Sequence, residues 1–343
     1  MMRRNRLIAL LLAIVLAVSG SVTALAEEAA GTVAKATGAE KYGTDEQYPL
    51  SWMKDWFVVN TFGYLDWKYS DSYLWEVHPE LDNDANYNHE FIHTGTQEYI
   101  FQHALADTVD NYNFYFSMPR NAEQLVVIAK LAGVPLMGTE YEHMANDEKV
   151  LALEKEVRDF LNSFDWRNAS DLEKAIQVAR RITRADYYND DTKALNDFGQ
   201  EYTIFGDSGS AYGCLVKGKA VCSGFTGAAA LLAFCVGLPV DVTAANVVNH
   251  AYPLFCINGV WVSYEPTTKD TSFMVIDPIE TVLRSESYTG EILCYSRCAE
   301  YCLRNGYVMP EDISGLIPDA TIGICFLSGI RGGGTRQTIQ FTR

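Results

Sequence analysis

Apolar residues recur at helical spacing in three segments upstream of residue 186. Asn121 to Leu131 is the first, closed by Gly133 and Pro135. Asn146 to Phe164 is the second, with charges of both signs between its apolar positions. The third opens at Ser170-Asp171-Leu172-Glu173, a capping box in which Ser170 and Glu173 each satisfy an orphan backbone N–H, and runs to about Ala185. Asp186 to Gly209 is polar and rich in turn formers, and reads as a loop. Ser223 to Val236 is almost wholly small and apolar, the composition of a helix buried on all sides, and Gly237 and Pro239 stop it. Val240–Val248, Ala251–Ile257 and Val260–Tyr264 then read as strands. The last two are joined at Asn258-Gly259, the strongest short hairpin signal a sequence carries. Ser285–Arg304 reads as helical, and Ala320–Leu327 and Thr335–Thr342 as two further strands. Helices followed by an antiparallel sheet make an α+β layout.

The N-terminal part is of another kind. Arg3, Arg4 and Arg6 precede an apolar run from Leu7 to about Val18, and Ala24-Leu25-Ala26 supplies an A-x-A cleavage site. That three-part order predicts a signal peptide over residues 1–26. The run is short of the roughly 20 apolar residues that a spanning helix needs. The expectation is therefore a secreted protein, extracellular or associated with the cell wall, with no membrane span once the signal is removed. Residues 27–47 have no hydrophobic period and read as a flexible leader. Residues 48–145 read as an aromatic-rich N-terminal subdomain, because four of the six tryptophans (Trp52, Trp56, Trp67 and Trp75) fall in it. Its rings either fill a small core or form a carbohydrate platform. Residues 146–343 read as the domain that carries the chemistry.

A formal net charge of −17 argues against nucleic acid as a partner, since such binding needs Lys and Arg to displace counterions. All eight cysteines lie between Cys214 and Cys325. Export permits disulfides, and the pairing does not follow from spacing. Cys294, Cys298 and Cys302, four residues apart, would share one face of the predicted helix.

Cys222 is placed where a thiol can become a nucleophile. The thiolate is the attacking species, and the unsatisfied N–H groups and dipole of a helix N-terminus favour it. Small Ser223 and Gly224 leave the sulfur open to approach. His250 is the only histidine in the second half of the chain, at the start of a strand. Glu265 follows it by fifteen residues, at the end of the paired strand, close to opposite His250 across a tight hairpin. A carboxylate there can accept the imidazole's second N–H, fix its tautomer and stabilise the imidazolium. Asp277 is a second candidate acid, without a spacing argument.

These residues carry a resemblance. The segment from Gly213 to Phe225, GCLVKGKAVCSGF, resembles the nucleophile segment of the transglutaminase-like domain in the papain-like superfamily. Asn249-His250-Ala251-Tyr252 resembles that family's His-Ala-Trp segment, with Tyr for Trp, and Asn258 to Thr267 resembles its Gly-x-Trp…Asp-x-Thr segment, with Glu265 for Asp. The likeness spans roughly residues 165–270. It implies a papain-like core, with the nucleophile helix packed on an antiparallel sheet. The implied chemistry is acyl transfer on peptide or protein amides, with Cys222, His250 and Glu265 as the triad and no cofactor. It also implies an oxyanion hole from the Cys222 N–H and an upstream polar side chain, for which Tyr212 is the candidate. Hydrolysis, with a cell-wall or surface protein as substrate, is favoured over crosslinking because water is always available.

Two other readings stand beside it. In one the fold persists as a cell-surface binding module without turnover, and Cys214 or Cys256 could also trap Cys222 in a disulfide. In the other, His89-Glu90-Phe91-Ile92-His93 fits H-E-x-x-H and would make a secreted zinc protease. Glu98 or His103 would then be the third ligand, although Gly95 and the polar lead-in from Asn83 to Asn88 weaken a helix there.

Overall fold

A computed structural model describes residues 47–59, 65–67, 122–195, 198–204, 206–245, 250–278, 294–295, 302, 307–327 and 334–342. The expected signal peptide, most of the aromatic-rich stretch and the whole of the 89–93 motif lie outside them. No helix among the described residues is long and apolar enough to cross a membrane.

A 3-10 turn, Ser51–Trp56, leads into a small antiparallel pair, β1 (Phe57–Val59) and β2 (Leu65–Trp67). Helices α1 (Ala122–Ala132), α2 (Glu148–Leu161) and α3 (Asp171–Ile182) follow. Asp147 caps α2 by accepting from the Lys149 and Val150 N–H groups, and Ser170 caps α3 by accepting from Glu173 N–H. The Glu173 carboxylate itself takes the Gln177 amide one turn on, at 2.5 Å. In α2, Val150, Leu153, Val157, Phe160 and Leu161 repeat every three or four residues on the buried face.

The segment 186–209, expected as loop, contains strands. Asp186–Tyr187 (β3) is followed by a hairpin of β4 (Thr192–Leu195) and β5 (Glu201–Ile204), and then by a 3-10 turn, Asp207–Gly209. β3 and β4 are exposed on both faces apart from half-buried Ala194, so no apolar period marks them. A π turn, Gly213–Lys217, leads to β6 (Lys219–Ala220), which pairs parallel with β3.

Helix α4 (Cys222–Cys235) has the predicted character: only Cys222, Ser223 and Gly227 escape burial. Phe225, Leu231, Leu232 and Phe234 are wholly buried in it, each stabilising the fold by about 1.5–3 kcal/mol. Trp56 packs edge-on against Phe234 at 5.9 Å, and Leu50 and Met53 belong to the same buried cluster as α4.

The sheet is antiparallel throughout. β7 (Val240–Ala245), β8 (His250–Ile257), β9 (Val260–Ser263) and β10 (Ser272–Val275) run in order. β11 (Cys294–Tyr295) adds to the β7 edge, and β13 (Gly334–Gln340) and then β12 (Thr321–Leu327) add beyond β10. The β8–β9 turn has Asn258 at φ 50° and Gly259 at φ 81°, the two left-handed residues a type I′ hairpin requires. Cys294 and Tyr295 are therefore strand, not part of the expected 285–304 helix. Pairing to Ala245 and Ala244 decides their conformation. A shared helical face of Cys294, Cys298 and Cys302 does not survive this. The mixed α+β class is as expected.

Candidate active site

The N-terminus of α4 is built against the backbone of the Asp207–Gly209 turn. Val221 N–H donates to the Ser208 carbonyl at 3.0 Å, and a Cβ on Gly224 would stand 2.1 Å from that same oxygen. Only glycine permits this approach. Asp190 holds the turn from the other side: its carboxylate accepts the Ser208 N–H at 3.1 Å, and its pKa is depressed first by the Ser208 hydroxyl and then by backbone N–H groups. The helix cap is Val221, whose side chain offers no acceptor, and the first turn carries no acid. The dipole and open N–H groups of this end therefore face a half-exposed Cys222. Thr226 closes the first turn by donating to the Cys222 carbonyl at 2.7 Å.

His250 opens β8, and its Nε2 lies 2.6 Å from Glu265 Oε2. The register pairs Leu254 with Ser263 and Ile257 with Val260, so Glu265 falls beside Tyr252, two residues from His250 on the same face. Such diagonal neighbours are about 7–8 Å apart along the backbone. The longer arm of glutamate spans that offset. Its other oxygen, Oε1, accepts from the Thr267 N–H at 3.1 Å and from the Thr267 hydroxyl in a short bond, which orients the carboxylate. Pro266 begins the 3-10 turn Pro266–Thr268 that this carboxylate caps. With Glu265 ionised, Nε2 carries the imidazole proton and Nδ1 the lone pair, so Nδ1 is the basic atom.

Two sets of contacts connect α4 and the segment before it with the sheet and with the turn that follows Glu265. First, α4 packs on β7 and β8, and its last residue, Cys235, is followed closely by the start of β7 at Val240. The helix is about 20 Å long at 1.5 Å per residue, comparable to the six-residue strand at about 3.3 Å each. β7 finishes at Ala245, opposite His250. Second, the turn Pro266–Thr268 packs on α4, and the next residue, Lys269, pairs with Asp186 at 2.9 Å. Asp186 is the register partner of Lys219, three residues before Cys222. The turn that follows Glu265 and the strand that precedes Cys222 are thus joined through Lys269 and Asp186.

The other candidates lie elsewhere. Asp277 acts electrostatically on Cys302 and Tyr307, away from His250. The Tyr212 ring sits near two ammonium groups, Lys149 at 5.2 Å and Lys217 at 5.5 Å. Cys214 is buried with its thiol pushed up to about 12, and burial raises Cys235, Cys256 and Cys302 further. Those thiols are unreactive by burial. No group of three or more His, Cys, Asp and Glu among the described residues could hold a metal. Thr267, Ser208 and Asp190 were not singled out from the sequence. Thr267 sits in a segment that carried a signal, while Ser208 and Asp190 fell in the supposed loop.

The site thus offers a partly exposed thiol at an uncapped helix N-terminus and a histidine oriented by an anchored carboxylate; no hydrogen bond joins Cys222 to His250 among the described residues. Comparison of the chain with protein-family models, with curated proteins and with solved structures returns no match.

Proposed function

We propose that this is an exported cysteine enzyme of transglutaminase-like type that hydrolyses a peptide or protein amide through acyl transfer. The observation that carries the reading is the 2.6 Å bond between His250 Nε2 and a doubly anchored Glu265, next to the Pro266–Thr268 turn that packs on α4. The Cys222 thiol passes its proton to His250 Nδ1, and the sulfur attacks the amide carbonyl. Backbone N–H groups of the first turn of α4, that of Cys222 among them, receive the charge that develops on the carbonyl oxygen. Glu265 stabilises the imidazolium while it protonates the leaving amine. His250 then deprotonates a water that opens the thioester, releasing the acid and restoring the thiol. A protein or peptide at the cell wall or cell surface is the substrate expected of an exported enzyme.

The test is alkylation of the mature protein by iodoacetamide, followed by peptide mapping. Cys222 should label fast and with a marked pH dependence, the His250→Ala variant should label at the rate of an ordinary thiol, and a zinc chelator should change neither. Equal labelling in both proteins, with chelator-sensitive peptidase activity, overturns the proposal. Parallel incubation with cell-wall peptides and a labelled primary amine reports whether water or amine takes the acyl group.

A further inference from the structure

Lys269 holds a backbone conformation that lysine rarely takes. It ends the Pro266–Thr268 turn at φ 56° and ψ 40°, in the left-handed region where a side chain crowds its own backbone. Among the described residues, Asn258 is the only other non-glycine residue at positive φ, and the β8–β9 hairpin requires it there. The turn itself does not call for a lysine: the Lys269 N–H donates to the Pro266 carbonyl at 3.1 Å, as the N–H of a glycine or asparagine would. What the lysine adds is an ammonium, which reaches Asp186 at 2.9 Å. Both ends of this bridge are fixed. On one side the buried Tyr264 donates its hydroxyl to the Asp270 carbonyl at 3.1 Å, which closes the chain around Glu265 and the turn it caps. On the other side Asp186 N–H donates to the Gly218 carbonyl at 2.9 Å and Tyr188 N–H to that of Ala220 at 3.0 Å, which ties β3 to the strand leading into α4. Three other charges stand near in the chain or the register. They are Asp270 beside Lys269, Arg184 two residues before Asp186, and Lys219, the register partner of Asp186, whose ammonium lies over the Tyr188 ring at 4.4 Å. Asp186 is largely exposed, so the bridge is a modest one that salt weakens.

We propose that Lys269 and Asp186 are a positioning pair for the Cys222 reaction. Their bridge sets the turn that anchors Glu265, and with it the His250 imidazole, against the strand that leads to Cys222. The strained backbone at Lys269 serves that alignment. Neither residue touches the reacting atoms. The inference goes beyond the proposed function and rests on it, since the pair acts only through the thiol and the imidazole.

The test is the rate at which iodoacetamide, a neutral probe, labels Cys222. Lys269→Asn removes the ammonium and leaves a residue that tolerates the left-handed turn, and Asp186→Asn removes the carboxylate. Each should slow labelling about threefold, the scale of one exposed ion pair, without lowering the melting temperature. A field effect alone would move the two variants in opposite directions, because losing a positive charge disfavours the thiolate and losing a negative one favours it. The double variant should fall no further than either single one. Lys269→Arg, which can keep the bridge, should keep the rate, and about 1 M salt should bring wild type toward the single variants. Opposite shifts in the two single variants, additive losses in the double variant, an Arg variant as slow as the Asn variant, or rates that no substitution changes each overturn the proposal. A wild-type Cys222 that labels at the rate of an ordinary thiol overturns the proposed function and this pairing with it. That failure shows in wild type alone, whereas failure of the pairing by itself shows in variants of a fast-labelling protein.

Discussion

Replacing Glu265 with Asp keeps the charge and removes one methylene. The carboxylate then withdraws by about 1.5 Å, the length of a carbon–carbon bond. The present 2.6 Å contact with His250 Nε2 opens to about 4 Å, beyond hydrogen-bond range. An aspartate at this position can still cap the Pro266–Thr268 turn through the Thr267 N–H, so the backbone stays in place. The loss falls on the imidazole, which is no longer held in the tautomer that leaves Nδ1 basic. A hydrogen bond to a charged group contributes about 1.5–3 kcal/mol net. If all of it acts on the reacting state, the rate falls about 10- to 150-fold. The pair is partly exposed, so the cost to folding should stay within about 1 kcal/mol. The assay is the second-order rate of Cys222 carbamidomethylation near neutral pH, beside urea unfolding of the same samples. A Glu265→Asp protein that labels within twofold of wild type at unchanged stability refutes the role given to the 2.6 Å bond and the claim that the register offset requires glutamate.

The remaining expectations concern how the site is held. Thr267→Val removes the hydroxyl donor to Glu265 and leaves the backbone donor; labelling of Cys222 should fall about fivefold for a loss of about 1 kcal/mol, with little change in melting temperature. Gly224→Ala brings a methyl to 2.1 Å from the Ser208 oxygen, so the helix end must move; a cost of about 1–3 kcal/mol in denaturant unfolding and loss of fast labelling should appear together. Asp171 and Lys174 are buried side by side at the start of α3, where Asp171 accepts from the hairpin N–H of Asn258 at 3.3 Å. Lys174→Met should cost about 3–5 kcal/mol by leaving Asp171 without its counter-charge, and adding Asp171→Asn should recover most of it. Burial raises the Asp171 pKa above its ordinary 3.8, so the folded state binds the proton more tightly than the unfolded chain. Stability from this group is full below the unfolded pKa and is lost as pH rises through the folded one. The stability of wild type relative to Asp171→Asn should therefore decline between pH 4 and neutrality in urea unfolding, and a difference that rises with pH would contradict this sign.

Much of the α+β framework was legible because burial writes itself into composition. The run from Ser223 to Cys235 is apolar all round because the helix it forms is enclosed, and Asn258-Gly259 can hardly do anything except turn back. That Cys222 opens a helix, and that His250 and Glu265 face each other across a hairpin, was legible for a related reason: the ends of elements have sequence marks. Segments without an inside failed. Strands β3 and β4 lie largely exposed, so nothing in their pattern told strand from loop, and Cys294-Tyr295 is strand because Ala244 and Ala245 offer it an edge.

Local order along the chain thus settles where α4 begins and where the hairpin turns. It does not settle how these elements pack. That depends on α4 packing on β7 and β8, on a pairing register that leaves Glu265 two residues out of step with His250, and on Ser208 lying against Gly224. Each of these is a contact between residues far apart in the chain, chosen by packing and backbone hydrogen bonding across the whole core. Helical periods and turn residues report only neighbours a few positions away, so they could name the members of the site but not the distances among them.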